Sequence, residues 1–304
     1  MKNGISIFFL LVGATVGCDL PSSLVTKGSP SKEVVEVGIR SAVDPILTRL
    51  STTRNAIEKL LANSSVQPRY PAHIYFRNRP TETVSDHDHV ADSNFFLSYR
   101  KPIDASVSSI RAVSESFEDV FRENKRAMPA LGWQTYLDFA TSGLRVFPWF
   151  DVDTFLGNEI DWSVFSFFTL TREQKDPRGL ICTQPSLDVA GLGFISTCSA
   201  QVFLRDKPSG IVSFDVSIGQ TFVDVRPKLG KDLKSFMVLL SSKTGHVVLT
   251  PDFWPFIFGN VVSRKDISFQ SDTVALLNDR RFSYTSGVVS AGPFSFDYLV
   301  FREI

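Results

Sequence analysis

Apolar residues early in the chain fall at helical spacing. Val43, Ile46, Leu47, Leu50, Ile57, Leu60 and Leu61 recur three, four and seven positions apart, with Arg and Glu on the other face. That pattern predicts an amphipathic helix from about Lys32. Pro45 either starts it after Asp44 or kinks a longer one. Helical spacing resumes over Ile103–Ala127 through Val107, Ile110, Val113, Phe117, Val120 and Phe121, until Pro129 and Gly132 end it.

Past Gly132 the period shortens. Tyr136–Phe139, Leu144–Phe147, Leu180–Thr183, Phe194–Phe203 and Ile211–Ile218 are short β-prone runs separated by glycine, proline and acids. A second set follows at Phe236–Ser241, His246–Thr250, Phe282–Val289 and Phe294–Phe301. In the last run Phe294, Phe296, Tyr298 and Val300 share a face, as in a half-buried strand. Asp272–Asn278 reads as a short helix between strands. The layout predicts an α+β fold, a long N-terminal helix followed by two antiparallel-sheet subdomains that divide near Gly219–Asp232.

The N-terminus changes the picture of where this body resides. Lys2 precedes the apolar run Ile5–Val12, and Ala14–Cys18 (ATVGC) supplies small residues ending in cysteine. This is a secretory signal over residues 1–17, excluded from the fold. It resembles a bacterial lipobox, which makes Cys18 the lipidated first residue of the mature chain. Residues 18–31, rich in Ser, Pro and Gly, read as a tether. No later stretch approaches the ~18–20 apolar residues of a membrane span. The expectation is a body in the bacterial cell envelope, held to a membrane by acyl chains on its periplasmic or extracytoplasmic face.

Charge excludes one class of partner. Lys+Arg and Asp+Glu balance at 32 each, and no basic run interleaves with aromatics, so nucleic acid is not expected. Catalytic motifs are missing too: there is no Gly-x-Ser-x-Gly elbow, His-Glu-x-x-His or phosphate loop. No catalytic residue and no cofactor is assigned. His87 and His89 sit among acids in a polar loop, but alternate residues of an extended segment point apart, and a solvated loop is the better reading than a metal site. Cys182 and Cys198 belong to an exported chain, where cysteines pair. A symmetric hairpin about Ala190 sets them opposite each other, a candidate disulfide that a one-residue shift would spoil.

Four pieces in order resemble the double Cache family of extracytoplasmic sensor domains: Ser142–Trp149 (SGLRVFPW), Asp176–Arg178 (DPR), Leu187–Val202 (LDVAGLGFISTCSAQV) and Gly210–Ile218 (GIVSFDVSI). Phe236–Pro251 resembles the opening of the family's second module. The resemblance implies a long helix, a membrane-distal PAS-like subdomain with a small-molecule pocket (with the helices, 32–220), and a membrane-proximal one (221–304). It also implies ligand residues. Asp188 and Asp215 fall where family members hold a ligand amine, Arg145 would take an anionic group, and Trp149 or Tyr136 would stack on the ligand. The implied ligand is an amine, an amino acid or an organic acid.

Two departures matter. Where the family hairpin reads Trp-Thr-x-x-Tyr-Leu-Asp, this chain has Cys182 for the Trp and Ser186 for the Tyr. No second span or output domain is expected from these residues, so a sensor would signal through a separate membrane protein. The alternative is a structural or surface protein-interaction lipoprotein whose pocket has degenerated.

Overall fold

The computed structural model describes residues 32–63, 68–70, 92–98, 104–157, 160–188, 192, 194–217, 220–221, 235–240, 246–250, 262–263, 267–272, 274–277, 280–291 and 294–303. Cys18 and the His87/His89 loop lie outside these residues. Helix α1 runs Lys32–Ala62 with Pro45 inside it. Its buried stripe is Val35, Ile39, Val43, Ile46, Leu50 and Ile57. None of the described helices is long and apolar enough to cross a membrane.

The second helical pattern resolves into two helices, α2 (Ala105–Glu115) and α3 (Phe117–Ala127). Asp104 caps α2 by accepting a 3.0 Å hydrogen bond from Val107 N–H. At the break, both the N–H and the hydroxyl of Ser116 bond the Val113 carbonyl, at 3.1 and 2.6 Å. A serine that competes for a local carbonyl interrupts a helix that apolar spacing alone carries through.

The first sheet contains β1 (Asn94–Phe96), β2 (Leu131–Asp138), β3 (Leu144–Phe147), β4 (Leu180–Cys182), β5 (Ser186–Leu187), β6 (Phe194–Leu204) and β7 (Lys207–Ser217). Its order is β1-β3-β2-β7-β6-β4, with β5 also pairing β6, and every pairing is antiparallel. One face packs on α1, α2 and α3. The other is covered by α4 (Val152–Leu156), a 3₁₀ turn at Trp162–Val164, and α5 (Ser166–Glu173).

The second sheet contains β8 (Ser235–Leu240), β9 (His246–Thr250), β10 (Val262–Ser263), β11 (Ile267–Phe269), β12 (Val274–Leu277), β13 (Arg280–Ala291) and β14 (Phe294–Glu303). It is ordered β10-β9-β8-β14-β13-β12-β11. The short helix expected at Asp272–Asn278 is replaced by β12, which pairs with both β11 and β13. Pairing on both sides outweighs the weak local preference of so short a segment. One apolar cluster joins α1 to Val212, Phe214 and Val216 of the first sheet and to Val289, Tyr298 and Val300 of the second.

Candidate functional site

Strand alternation divides the first sheet into two faces of different chemistry. On β7, Val212, Phe214 and Val216 enter the core beneath the helices, while Ser213 and Asp215 face the other way. On β6, Cys198 and Ala200 lie on the helix side, and Ile195 and Thr197 on the opposite side.

Strand β2 follows this rule only through a bulge. Leu131 pairs Val216 and Gln134 pairs Phe214, which leaves Gly132 and Trp133 together opposite Asp215. A bulge of this kind re-aims a side chain. Leu131 and Tyr136 stay in the helix-side core, and Trp133 turns to the other face with Thr135. Position 132 is crowded, because a Cβ there would press on Leu192 Cδ1 and lie 3.1 Å from the Asp215 carbonyl oxygen.

Between this second face and its helical cover lies a cavity of about 280 Å³. One wall is polar: Thr183, Ser186, Asp188, Thr197, Ser213 and Asp215. Aromatic rings also line the cavity, Trp133 from the sheet beside Asp215 and Phe150, Trp162, Phe165 and Phe167 from the segments that cover the sheet, together with Leu144 and Val146 of β3. The described lining includes two carboxylates and no Lys, Arg or His.

The polar wall is internally bonded. Thr197 Oγ1 donates to Asp215 Oδ1 at 2.6 Å, and Thr197 N–H donates to Thr183 Oγ1 at 3.0 Å. Ser196 Oγ donates to the Thr183 carbonyl at 2.6 Å, and the Ser199 and Ser213 hydroxyls meet at 2.8 Å. Asp188 Oδ2 accepts from Leu192 N–H at 2.9 Å. Burial pushes the Asp215 carboxyl up to about 7; the Thr197 bond opposes this and the charge of Asp188 adds to it. A carboxylate so placed is short of a cation.

Asp188 and Asp215, both anticipated from sequence, line this cavity; Tyr136, Arg145 and Trp149 do not. Tyr136 and Arg145 are cross-strand partners on the helix face. The Tyr136 ring meets Phe117 edge-on at 5.1 Å, and burial, with Asp138 beside it, pushes its phenol pKa upward.

The Arg145 guanidinium is fully buried. It donates to Ser114 Oγ at 3.1 and 3.2 Å, Ser93 Oγ at 3.2 Å and the Arg111 carbonyl at 3.0 Å, and it lies 5.2 Å from the Phe95 ring centroid. It therefore joins the helices to the sheet and has no access to a ligand in the cavity. Trp149 is half-buried just past β3, and Phe150 reaches the cavity instead.

Cys182 pairs with Cys198 on β4 and β6 and the two are bonded, with Cα atoms 4.0 Å apart. Cys198 belongs to the helix-side core and Cys182 packs against that core, so the bridge leaves the cavity open. Residues unassigned from sequence are Trp133, Thr135, Thr183, Thr197 and Ser213. For Ser213 the signal was the alternation Val212-Ser213-Phe214-Asp215-Val216, in which polar residues mark one face. Among the described residues no three His, Cys, Asp or Glu side chains are grouped as a metal site requires.

No protein-family model matches the chain, and no curated protein matches it. Solved structures do. The ligand-binding domain of the Pseudomonas aeruginosa PAO1 amino acid chemoreceptor PctB, in complex with L-Arg, aligns with TM-score 0.54 at 10% identity, over 89% of this chain and 91% of that one. The ligand-binding domain of the Pseudomonas fluorescens chemoreceptor CtaA, in complex with L-alanine, aligns with TM-score 0.50 at 12% identity, over 89% and 93%. With its long first helix and two successive antiparallel sheets, the chain has the fold of these chemoreceptor ligand-binding domains, the double Cache fold.

Proposed function

We propose that this protein binds a small cationic amine in the first-sheet cavity, as the sensing part of a lipid-anchored envelope protein. The observation that carries the reading is the cavity lining, in which, among the described residues, Asp188 and Asp215 are accompanied by no basic side chain. A buried carboxylate forms a strong charge-assisted hydrogen bond to an ammonium group. A ligand carboxylate would meet two acidic side chains and, among the described lining residues, no cation, which disfavours amino acids and organic acids. In this respect the proposed ligand differs from the amino acids bound by PctB and CtaA.

In this reading Cys18 bears the acyl anchor and a separate membrane protein receives the signal. Binding is favoured over a purely structural role because the Cys182–Cys198 bridge packs on the opposite face and leaves a polar-walled cavity unfilled. Thermal-shift screening of the mature protein against amines, amino acids and organic acids tests it. Amines should raise the melting temperature, and Asp188→Ala with Asp215→Ala should abolish the shift. A shift produced by organic acids alone, or one indifferent to both substitutions, rules the reading out. Globomycin sensitivity of processing, followed by membrane fractionation, tests the anchor.

A further inference from the structure

Resting on the amine reading, we infer that Trp133 is a specificity-determining residue, selecting amines with one cationic end and a ring-bearing apolar body. The β2 bulge places Gly132 and Trp133 opposite Asp215, so the indole lines the cavity beside the carboxylate. Without the extra residue, Trp133 would share the face of Leu131, beneath the helices.

The indole does not act alone. Its ring centroid lies 4.8 Å from that of Phe150 at 35°, and Phe150 stacks on Phe155 at 4.9 Å and 27°. These three rings make a continuous shelf from the cavity wall to the surface, where Phe155 is 51% exposed.

The two ends of the cavity therefore ask for different chemistry. Both carboxylates belong to β7 and the segment after β5, and the described lining holds no further acid along the ring shelf. An ammonium is held by Asp215 through a charge-assisted hydrogen bond, and an apolar ring behind it gains from burial on the shelf. A second cation at that end would be desolvated without a counter-charge. The class is the arylalkyl monoamine, as opposed to the diamine or the plain alkylamine.

Calorimetric titration of the mature chain with 2-phenylethylamine, propylamine and 1,4-diaminobutane tests this. Phenylethylamine should bind at least about tenfold more tightly than either other ligand, as burial of one ring warrants. Trp133→Leu should erase that preference and leave propylamine within about twofold, since the charge contact is untouched. If Trp133→Leu fails to fold, Trp133→Phe should narrow the preference by about threefold, as expected for a smaller ring. Equal losses for all ligands, or tightest binding by the diamine, overturns the inference. Propylamine binding that Asp215→Asn abolishes, without any ring preference, sinks this inference and spares the amine reading. No binding by any amine sinks both.

Discussion

Thr197 and Asp215 stand opposite each other on β6 and β7, and the threonine hydroxyl donates a 2.6 Å hydrogen bond to Asp215 Oδ1. That bond favours the charged carboxylate, yet burial prevails and the group titrates at about 7. In the unfolded chain an aspartate titrates near 3.9. The folded state therefore holds the proton more tightly, and the stability this contributes is present below about pH 4 and lost as pH rises through about 7. Melting temperature measured from pH 4 to 8 should fall more steeply for the wild type than for Asp215→Asn. Parallel profiles would show that Asp215 carries no such proton.

A bound cation reverses the sign. An ammonium needs the charged carboxylate, so amine affinity should rise roughly tenfold per pH unit while Asp215 is being deprotonated and level off above about 7. Thr197→Val removes the bond that favours the charged form and should move the break to higher pH. Titration calorimetry across buffers of different ionisation heat reads both the slope and the released proton.

The Cys182–Cys198 bridge closes a short loop, the two residues being 16 apart. A loop of that size constrains the unfolded chain by about 3 kcal/mol. It also pins β4 beside Thr183, whose hydroxyl and carbonyl hold β6 next to Asp215. Replacing both cysteines by serine should lower the melting temperature and weaken amine binding together. Intact mass with alkylation should show two added labels only after reduction.

Arg145 provides the opposite case, a residue whose loss costs stability without touching the ligand. Arg145→Met would remove the buried donor that joins Ser114 and Ser93 and a charge that lowers the pKa of buried Glu115, which burial raises. Deleting one member of such a buried ionic network costs roughly 3–5 kcal/mol. Denaturant unfolding should show that loss, while the folded variant binds amines with unchanged affinity.

Much of the fold was legible in local pattern. The apolar spacing of α1 follows directly from burial of one face, and α1 and β14 are both found where the pattern puts them. In β14, Leu299 is buried together with Tyr298 and Val300, so that stretch is covered on both faces where one was expected. The break at Ser116 escaped because one hydroxyl, not a change of periodicity, makes it. Asp188 and Asp215 line the cavity while Tyr136 and Arg145 do not, for a single reason. Motif order places a residue on a strand, whereas strand parity decides which face it serves. Tyr136 pairs with Val212, so it belongs with the apolar residues of β7 and not with Ser213 and Asp215. Trp133 escapes even the parity rule, because a bulge becomes visible only once β2 is laid against β7.

The apolar cluster running from Val212 and Phe214 through the α1 stripe to Val289 and Val300 has a thermodynamic consequence. Among the described residues both sheets bury their α1-facing side chains in this one cluster, so breaking either one exposes the helix surface on which the other rests. The two sheets should therefore melt as one cooperative unit, giving a single calorimetric transition whose van't Hoff and calorimetric enthalpies agree.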